Sequence, residues 1–168
     1  MDKLMTQSLV RDNRIGEFSS MAPPRLARIV SSTVQDSDQW LRLVRYDPIS
    51  RWYTRLERTD DYEIWLLSWL PGQQTGFHDH GSSAGAFAVT LGSLCERGVR
   101  AGRPQQSARR VVPGDLRAFG SSYLHDVRNA GPGPAVSIHA YSPPLSSMRR
   151  FEVSSGGRLR AVAEERSW

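Results

Sequence analysis

Two stretches decide how this chain is read: Gly72-Gln-Gln-Thr-Gly-Phe-His78-Asp-His80 and, further on, His125-Asp-Val-Arg-Asn129. In an extended strand alternate side chains share a face, so His78 and His80 point one way and Asp79 the other. Two imidazoles on one face at i and i+2 can both reach a single divalent ion. Taken alone, the pair is better described as two half-exposed strand histidines, so the reading rests on its surroundings. The chain has four histidines, and the other two, His125 and His139, also fall in segments of strand character.

Working outward, short apolar-alternating segments recur from Tyr46 onward. They include Arg51–Arg58, Tyr62–Leu70, Phe77–His80, Ala86–Leu91, Val99–Gly102 and Ala108–Val112. Asp115–Phe119, His125–Asn129, Val136–Tyr141, Phe151–Ser154 and Arg158–Ala161 follow. Thr59-Asp-Asp, Pro71-Gly72, Gly81-Ser-Ser, Gly92-Ser and Ser155-Gly-Gly punctuate them as turns. Strands at this spacing predict a mainly β sandwich or barrel over residues 46–168. Residues 1–45 differ and are read as a helical N-terminal arm whose first twenty residues are loose. Pro23 and Pro24 suit a first helical turn. Leu26, Ile29 and Val30 then repeat at helical spacing, and Trp40, Leu41 and Val44 do so again after a break at Ser31-Ser-Thr.

Composition narrows the function. At 168 residues, 39% hydrophobic and 23% charged, the chain matches one ordinary globular domain. Its longest mostly apolar run, Ile64 to Leu70, is far short of the roughly 20 residues of a membrane span. No apolar leader segment opens it, and one cysteine, Cys95, forms no internal pair, so a reducing cytoplasm is the expected compartment. The net charge of +5 rests on 22 Lys+Arg, almost all arginine, in runs no longer than two. Without a recognition motif this reads as a solvated surface rather than a nucleic-acid interface.

The spacing around the histidines resembles the paired motifs of the cupin superfamily, G-x5-H-x-H-x(3,4)-E-x6-G and G-x5-P-x-G-x2-H-x3-N. Gly72, His78, His80, Gly92, Gly114, His125 and Asn129 match, while Gly85 replaces the Glu, Gly120 the Pro and Ser122 the following Gly. The resemblance implies a cupin barrel, a double-stranded β-helix or jelly roll. It also implies a site of three neutral imidazoles without the carboxylate, since Gly85 has no side chain and Asp79 and Asp126 face away. A divalent ion so held keeps its full charge and favours a soft anionic ligand such as a thiolate.

A second constellation lies in Val136-Ser-Ile-His-Ala-Tyr-Ser-Pro-Pro144. Ser137, His139 and Tyr141 share one strand face over about 13 Å at ~3.3 Å per residue. Hydroxyl, imidazole and phenol in line can form one hydrogen-bonded chain ending in a phenolic O–H aimed into the barrel. No nucleophile-elbow sequence surrounds Ser137, which disfavours a hydrolase. Trp52, Tyr62, Trp65 and Trp69 are read as core or wall.

Tyr53-Thr-Arg55, Phe77-His-Asp-His80-Gly, His125-Asp-Val-Arg-Asn129 and Ser137-Ile-His-Ala-Tyr-Ser-Pro-Pro144, in this order, resemble the cysteine dioxygenases in their short bacterial form. The likeness runs from about Trp40 to Phe151. It implies that His78, His80 and His125 bind Fe(II), one ion per chain, and that Ser137, His139 and Tyr141 form an outer triad. Arg55, with Tyr53 beside it, aligns with the arginine that holds the substrate carboxylate. The implied reaction oxidises L-cysteine with O2 to cysteine sulfinic acid. Sister enzymes for 3-mercaptopropionate carry Gln at the position of Arg55, whose fork suits a carboxylate. Eukaryotic members join a cysteine to the triad tyrosine; Ala84-Gly85-Ala86 stands there, so Tyr141 is expected unmodified. Alternatives are dioxygenation of 3-mercaptopropionate or cysteamine, and, in another class, a metal-binding cupin sensor or isomerase. The expected partners are the thiol and O2, with no nucleic acid or membrane, in a monomer or homodimer.

Overall fold

The computed structural model describes residues 20–100, 102–105 and 108–166. The first nineteen residues, read above as loose, lie outside the described residues. Helix α1 spans Pro23–Gln35 and is followed by two 3₁₀ turns, Ser37–Gln39 and Leu41–Leu43. Twelve strands come next: β1 Trp52–Arg58, β2 Glu63–Trp69, β3 Phe77–His78, β4 Ala84–Leu91, β5 Leu94–Arg100 and β6 Arg103–Pro104. The rest are β7 Arg109–Val111, β8 Leu116–Phe119, β9 His125–Arg128, β10 Ala135–Ser142, β11 Met148–Val153 and β12 Leu159–Glu165. One sheet runs β1-β2-β10-β4-β8 and the other β12-β11-β3-β9-β5-β6, with β7 on β5. All these pairings are antiparallel.

The central strands of the five-stranded sheet, β2, β10 and β4, are buried on both faces, and strand alternation assigns each face a task. Ile64, Leu66, Ala86, Ala88, Val136, Ile138 and Ala140 face outward against Leu26 and Val30 of α1. Alanines in that layer let the helix sit close. Trp65, Leu67, Trp69, Phe87, Val89, Phe119 and Tyr141 face inward and meet Leu94, Val111 and Val127 from the opposite sheet. Burying Leu26 and Val30 contributes on the order of 2 kcal/mol each, which holds the arm on the barrel.

The helix does not break at Ser31-Ser-Thr. Thr33 Oγ1 donates back to the Ile29 carbonyl at 3.0 Å, and the Asp36 amide closes the helix on the Ser32 carbonyl at 3.2 Å. The low helix preference of these residues costs only a few tenths of a kcal/mol each, less than burying Val30 and Thr33 returns. The expected second helix reduces to the two 3₁₀ turns, anchored by the Trp40 indole N–H donating to the Thr33 carbonyl at 3.0 Å.

Two glycines fix the barrel's close approaches. At Gly92 φ is +72° and a Cβ would lie 2.4 Å from the Pro134 carbonyl oxygen, so the turn into β5 admits no side chain. That strand starts at Leu94, five residues before the expected Val99, and Leu94, Glu96 and Gly98 are its buried positions. Gly85 lies directly opposite Tyr141 in the β4–β10 ladder, and a Cβ there would meet the Phe119 ring at 2.5 Å.

Candidate metal centre

His78 closes β3, His80 lies two residues past its end, and His125 opens β9, opposite His78 in the β3–β9 ladder. Their ring nitrogens come within 4.8 Å of one another, and all three side chains are buried. His78 Nδ1 hydrogen-bonds the Gly76 carbonyl at 2.9 Å and His125 Nδ1 hydrogen-bonds Glu96 Oε1 at 2.8 Å. Donating from Nδ1 leaves Nε2 of both rings with a lone pair for the shared space. His80 has no hydrogen-bond partner on either ring nitrogen although it is fully buried. An unpartnered buried imidazole is costly, and a divalent ion satisfies it. Burial, reinforced by the neighbouring histidines, pushes His78 and His80 well below the usual imidazole range, so both stay neutral as ligands. The donor set fits a nitrogen-liking transition ion with coordination positions left over.

Neither Asp79 nor Asp126 turns toward the histidines. Asp79 accepts from Arg149 Nε at 2.7 Å, and Asp126 takes Thr75 Oγ1 at 3.4 Å. The carboxylate that does serve this site is Glu96, which the sequence reading missed. It is 2% exposed. Besides His125 it accepts from Arg117 Nε at 2.6 Å and from the Tyr123 hydroxyl at 3.2 Å. Burial pushes its carboxyl up, but the bonds and charges of His125 and Arg117 outweigh this and hold it at about 2. The metal pocket is thus not free of anionic influence, because a carboxylate stands one imidazole behind it. The only sequence signal was an acid at an inward position of β5, which required knowing where β5 starts.

Ser137, His139 and Tyr141 form a hydrogen-bonded line on the inner face of β10. Ser137 Oγ is 2.8 Å from His139 Nε2, and the Tyr141 hydroxyl is 3.3 Å from His139 Nδ1. The Trp69 indole N–H donates to Ser137 Oγ at 2.9 Å, so Trp69 is more than wall. One proton order satisfies all of these groups. Ser137 is fully buried and accepts from Trp69, so its own hydrogen goes to His139 Nε2. Burial, with Arg51 nearby, lowers His139 to about 3, leaving one ring proton, on Nδ1. Nδ1–H then donates to the Tyr141 oxygen, and the phenolic hydrogen is free to point into the cavity. Burial also raises the Tyr141 phenol, which stays protonated.

The cavity in front of these groups has a volume of about 140 Å³ and is bounded by His78, His125, His139 and Tyr141 at its base. Tyr53, Trp65, Leu67, Val127 and Met148 form walls, with Arg51, Arg150 and Glu165 toward the mouth. Arg55 is not among its lining residues. Its guanidinium lies 5.4 Å over the Trp65 ring and 3.7 Å from Glu63, a fully buried carboxylate that also takes Arg58 at 3.2 Å. Arg55 thus has a carboxylate partner within the chain. Arg51, one residue before β1 and on the same alternating face as Tyr53 and Arg55, enters the cavity instead. It lies 4.9 Å over the Trp69 ring.

A barrel of two curled antiparallel sheets defines a cupin, and its three convergent buried histidines make a candidate metal pocket. Solved structures agree on the fold. A protein from Thermus thermophilus is 23% identical with a TM-score of 0.54, covering 62% of this chain and 93% of that one. A Klebsiella pneumoniae protein with a double-stranded β-helix domain is 16% identical with a TM-score of 0.54, covering 73% and 92%. The family model for cysteine dioxygenase type I matches residues 20–154, and the chain belongs to that family. Curated relatives include cysteine dioxygenase type 1 of Danio rerio, 25% identical over 86% of this chain and 77% of the relative. The Homo sapiens enzyme of the same name is 26% identical over 76% and 68%.

Proposed function

We propose that this chain is an Fe(II)-dependent dioxygenase that converts L-cysteine and O2 to cysteine sulfinic acid in the cytoplasm, with one iron per chain held by His78, His80 and His125. The observation that carries the reading is the cavity itself. Two of the three clustered histidines, His78 and His125, line it with the Tyr141 phenol, together with Arg51, which has no carboxylate partner among the described residues. Those are the complements of a thiolate and a carboxylate on one small molecule.

Bound Fe(II) supplies a site for the thiolate and for O2 and the redox coupling between them. The chain's own residues do the rest. Arg51 receives the substrate carboxylate, a role that resemblance alone assigns to Arg55; its charge persists despite burial. Tyr53 walls the mouth, and Tyr141 offers its O–H to a substrate oxygen in an orientation set by Ser137 and His139. Trp65, Leu67 and Val127 exclude water from the sulfur. Both oxygen atoms of O2 join the sulfur, which loses the four electrons that O2 gains, so no separate reductant is needed.

The test is oxygen uptake by the Fe(II)-loaded protein given L-cysteine, 3-mercaptopropionate or cysteamine separately. The reading expects the highest kcat/KM with L-cysteine and one O2 per sulfinate. Highest turnover with another thiol keeps the chemistry and changes the substrate. Bound iron without uptake for any thiol overturns the reading in favour of a sensor or isomerase.

A further inference from the structure

The mouth of the cavity carries a second arginine whose charge is already engaged within the chain. Arg150 lies on β11 opposite His78 in the β11–β3 ladder. Its Nε and Nη2 donate to the two oxygens of Glu165 on β12, both at 2.9 Å, and its Nη1 donates to the Thr75 carbonyl at 2.9 Å. All three guanidinium nitrogens are therefore occupied, and the bidentate fork holds the plane in place. Arg51 differs. Its Nε is buried without a partner, its Nη1 has only a 3.5 Å contact with the Gln74 carbonyl, and no carboxylate lies within 4.0 Å among the described residues. Among the described residues, two cations and one anion thus leave a single uncompensated positive charge at the mouth.

We infer that Glu165 is a specificity-determining residue: by occupying Arg150 it limits the cavity to thiols with one carboxylate. This rests on the dioxygenase reading and adds a substrate class to it. A monocarboxylate thiol meets Arg51 and neutralises the mouth. A second carboxylate would have to displace Glu165 from Arg150 or lie beside it as a like charge, and either arrangement is unfavourable. Discrimination here comes from an internal anion competing for the second cation, not from the size of the cavity.

The experiment compares wild type with Glu165→Gln, Arg150→Gln and the double variant, each with iron loaded, using L-cysteine, cysteamine and the dicarboxylate thiol mercaptosuccinate. Glu165→Gln frees Arg150 and is expected to raise kcat/KM for mercaptosuccinate relative to cysteine at least tenfold. Arg150→Gln leaves Glu165 as an unpaired anion and is expected to lower kcat/KM for cysteine relative to cysteamine at least tenfold. The double variant returns both ratios to within about threefold of wild type. Equilibrium binding of mercaptosuccinate and 3-mercaptopropionate to the same proteins, by calorimetry, gives a readout independent of turnover. It is expected to show the same gain for the dicarboxylate in Glu165→Gln. If wild type binds thiols but consumes no O2, the dioxygenase reading fails while binding still decides the role of Glu165. If Glu165→Gln changes neither the kinetic ratio nor the binding ratio, the inference is overturned.

Discussion

Glu96 Oε1 and His125 Nδ1 are 2.8 Å apart, both side chains almost fully buried, with the Tyr123 hydroxyl donating to the same oxygen and Arg117 to Oε2. The pair ties a metal-ligand candidate to strand β5 and sets which of its nitrogens faces the site. Glu96→Ala is expected to weaken metal binding about 10- to 100-fold, while Glu96→Gln, which can still accept from His125, recovers part of the loss. Equilibrium dialysis against Fe(II) or Co(II) measures both. Equal affinity in wild type and Glu96→Ala would exclude a positioning role.

Arg51 and Arg55 share a strand face but have different neighbours, so their substitutions separate. Arg51→Ala is expected to raise KM for L-cysteine about 10- to 100-fold, the scale of a lost charge-assisted hydrogen bond. It is expected to leave cysteamine, which has no carboxylate, nearly unchanged. Arg55→Ala acts mainly through the buried Glu63 and lowers stability more than it alters KM. The reverse pattern in steady-state kinetics would return the carboxylate role to Arg55.

Replacing Tyr141 by Phe removes the hydrogen directed at the cavity while keeping the ring stacked on His80, whose centroid is 5.1 Å away. Turnover is expected to fall about 10²-fold with metal content unchanged. A matching loss of bound iron would assign Tyr141 to the metal pocket's architecture instead.

Gly85 is constrained by contact rather than by backbone conformation, with the Phe119 ring in the space a Cβ would take. Phe119 in turn lies against His80 at 5.0 Å. Gly85→Ala forces that ring to shift, at about 1–3 kcal/mol of stability, readable as a lower urea midpoint. A midpoint equal to wild type would mean the ring moves freely.

His139 contributes, beside His78 and His80, to the acid sensitivity of the metal-free protein. Unfolded, it takes a proton near pH 6.5; folded, it resists until about 3. Between those values the unfolded state holds the extra proton. Stability therefore rises with pH across the window and is lost as pH falls below about 6.5, at about 1.4 kcal/mol per pH unit for this one group. Urea midpoints at pH 7 and pH 5 measure the slope, and His139→Gln is expected to reduce it by one proton's worth.

Much of this was legible in the chain because it is local. The H-x-H pair, Ser137-x-His139-x-Tyr141 and the turn glycines each act within a few residues; strand alternation sets the shared face of the triad on β10, while His80 joins His78 from just past the end of β3. The same rule separates Ile138 and Ala140, packed under α1, from the polar line on the opposite face. What could not be read involved partners distant in sequence. Glu96 joins His125 only because β5 pairs with β9, and Arg150 meets Glu165 only because β12 folds back on β11. That Arg51 rather than Arg55 lines the cavity, and that Arg55 pairs with the buried Glu63 of the neighbouring strand, also appears only in the folded chain. Sequence pattern determined the barrel, the histidine cluster and the triad; tertiary structure decided which charges neutralise one another, since ion pairs depend on distance in space and not on spacing along the chain.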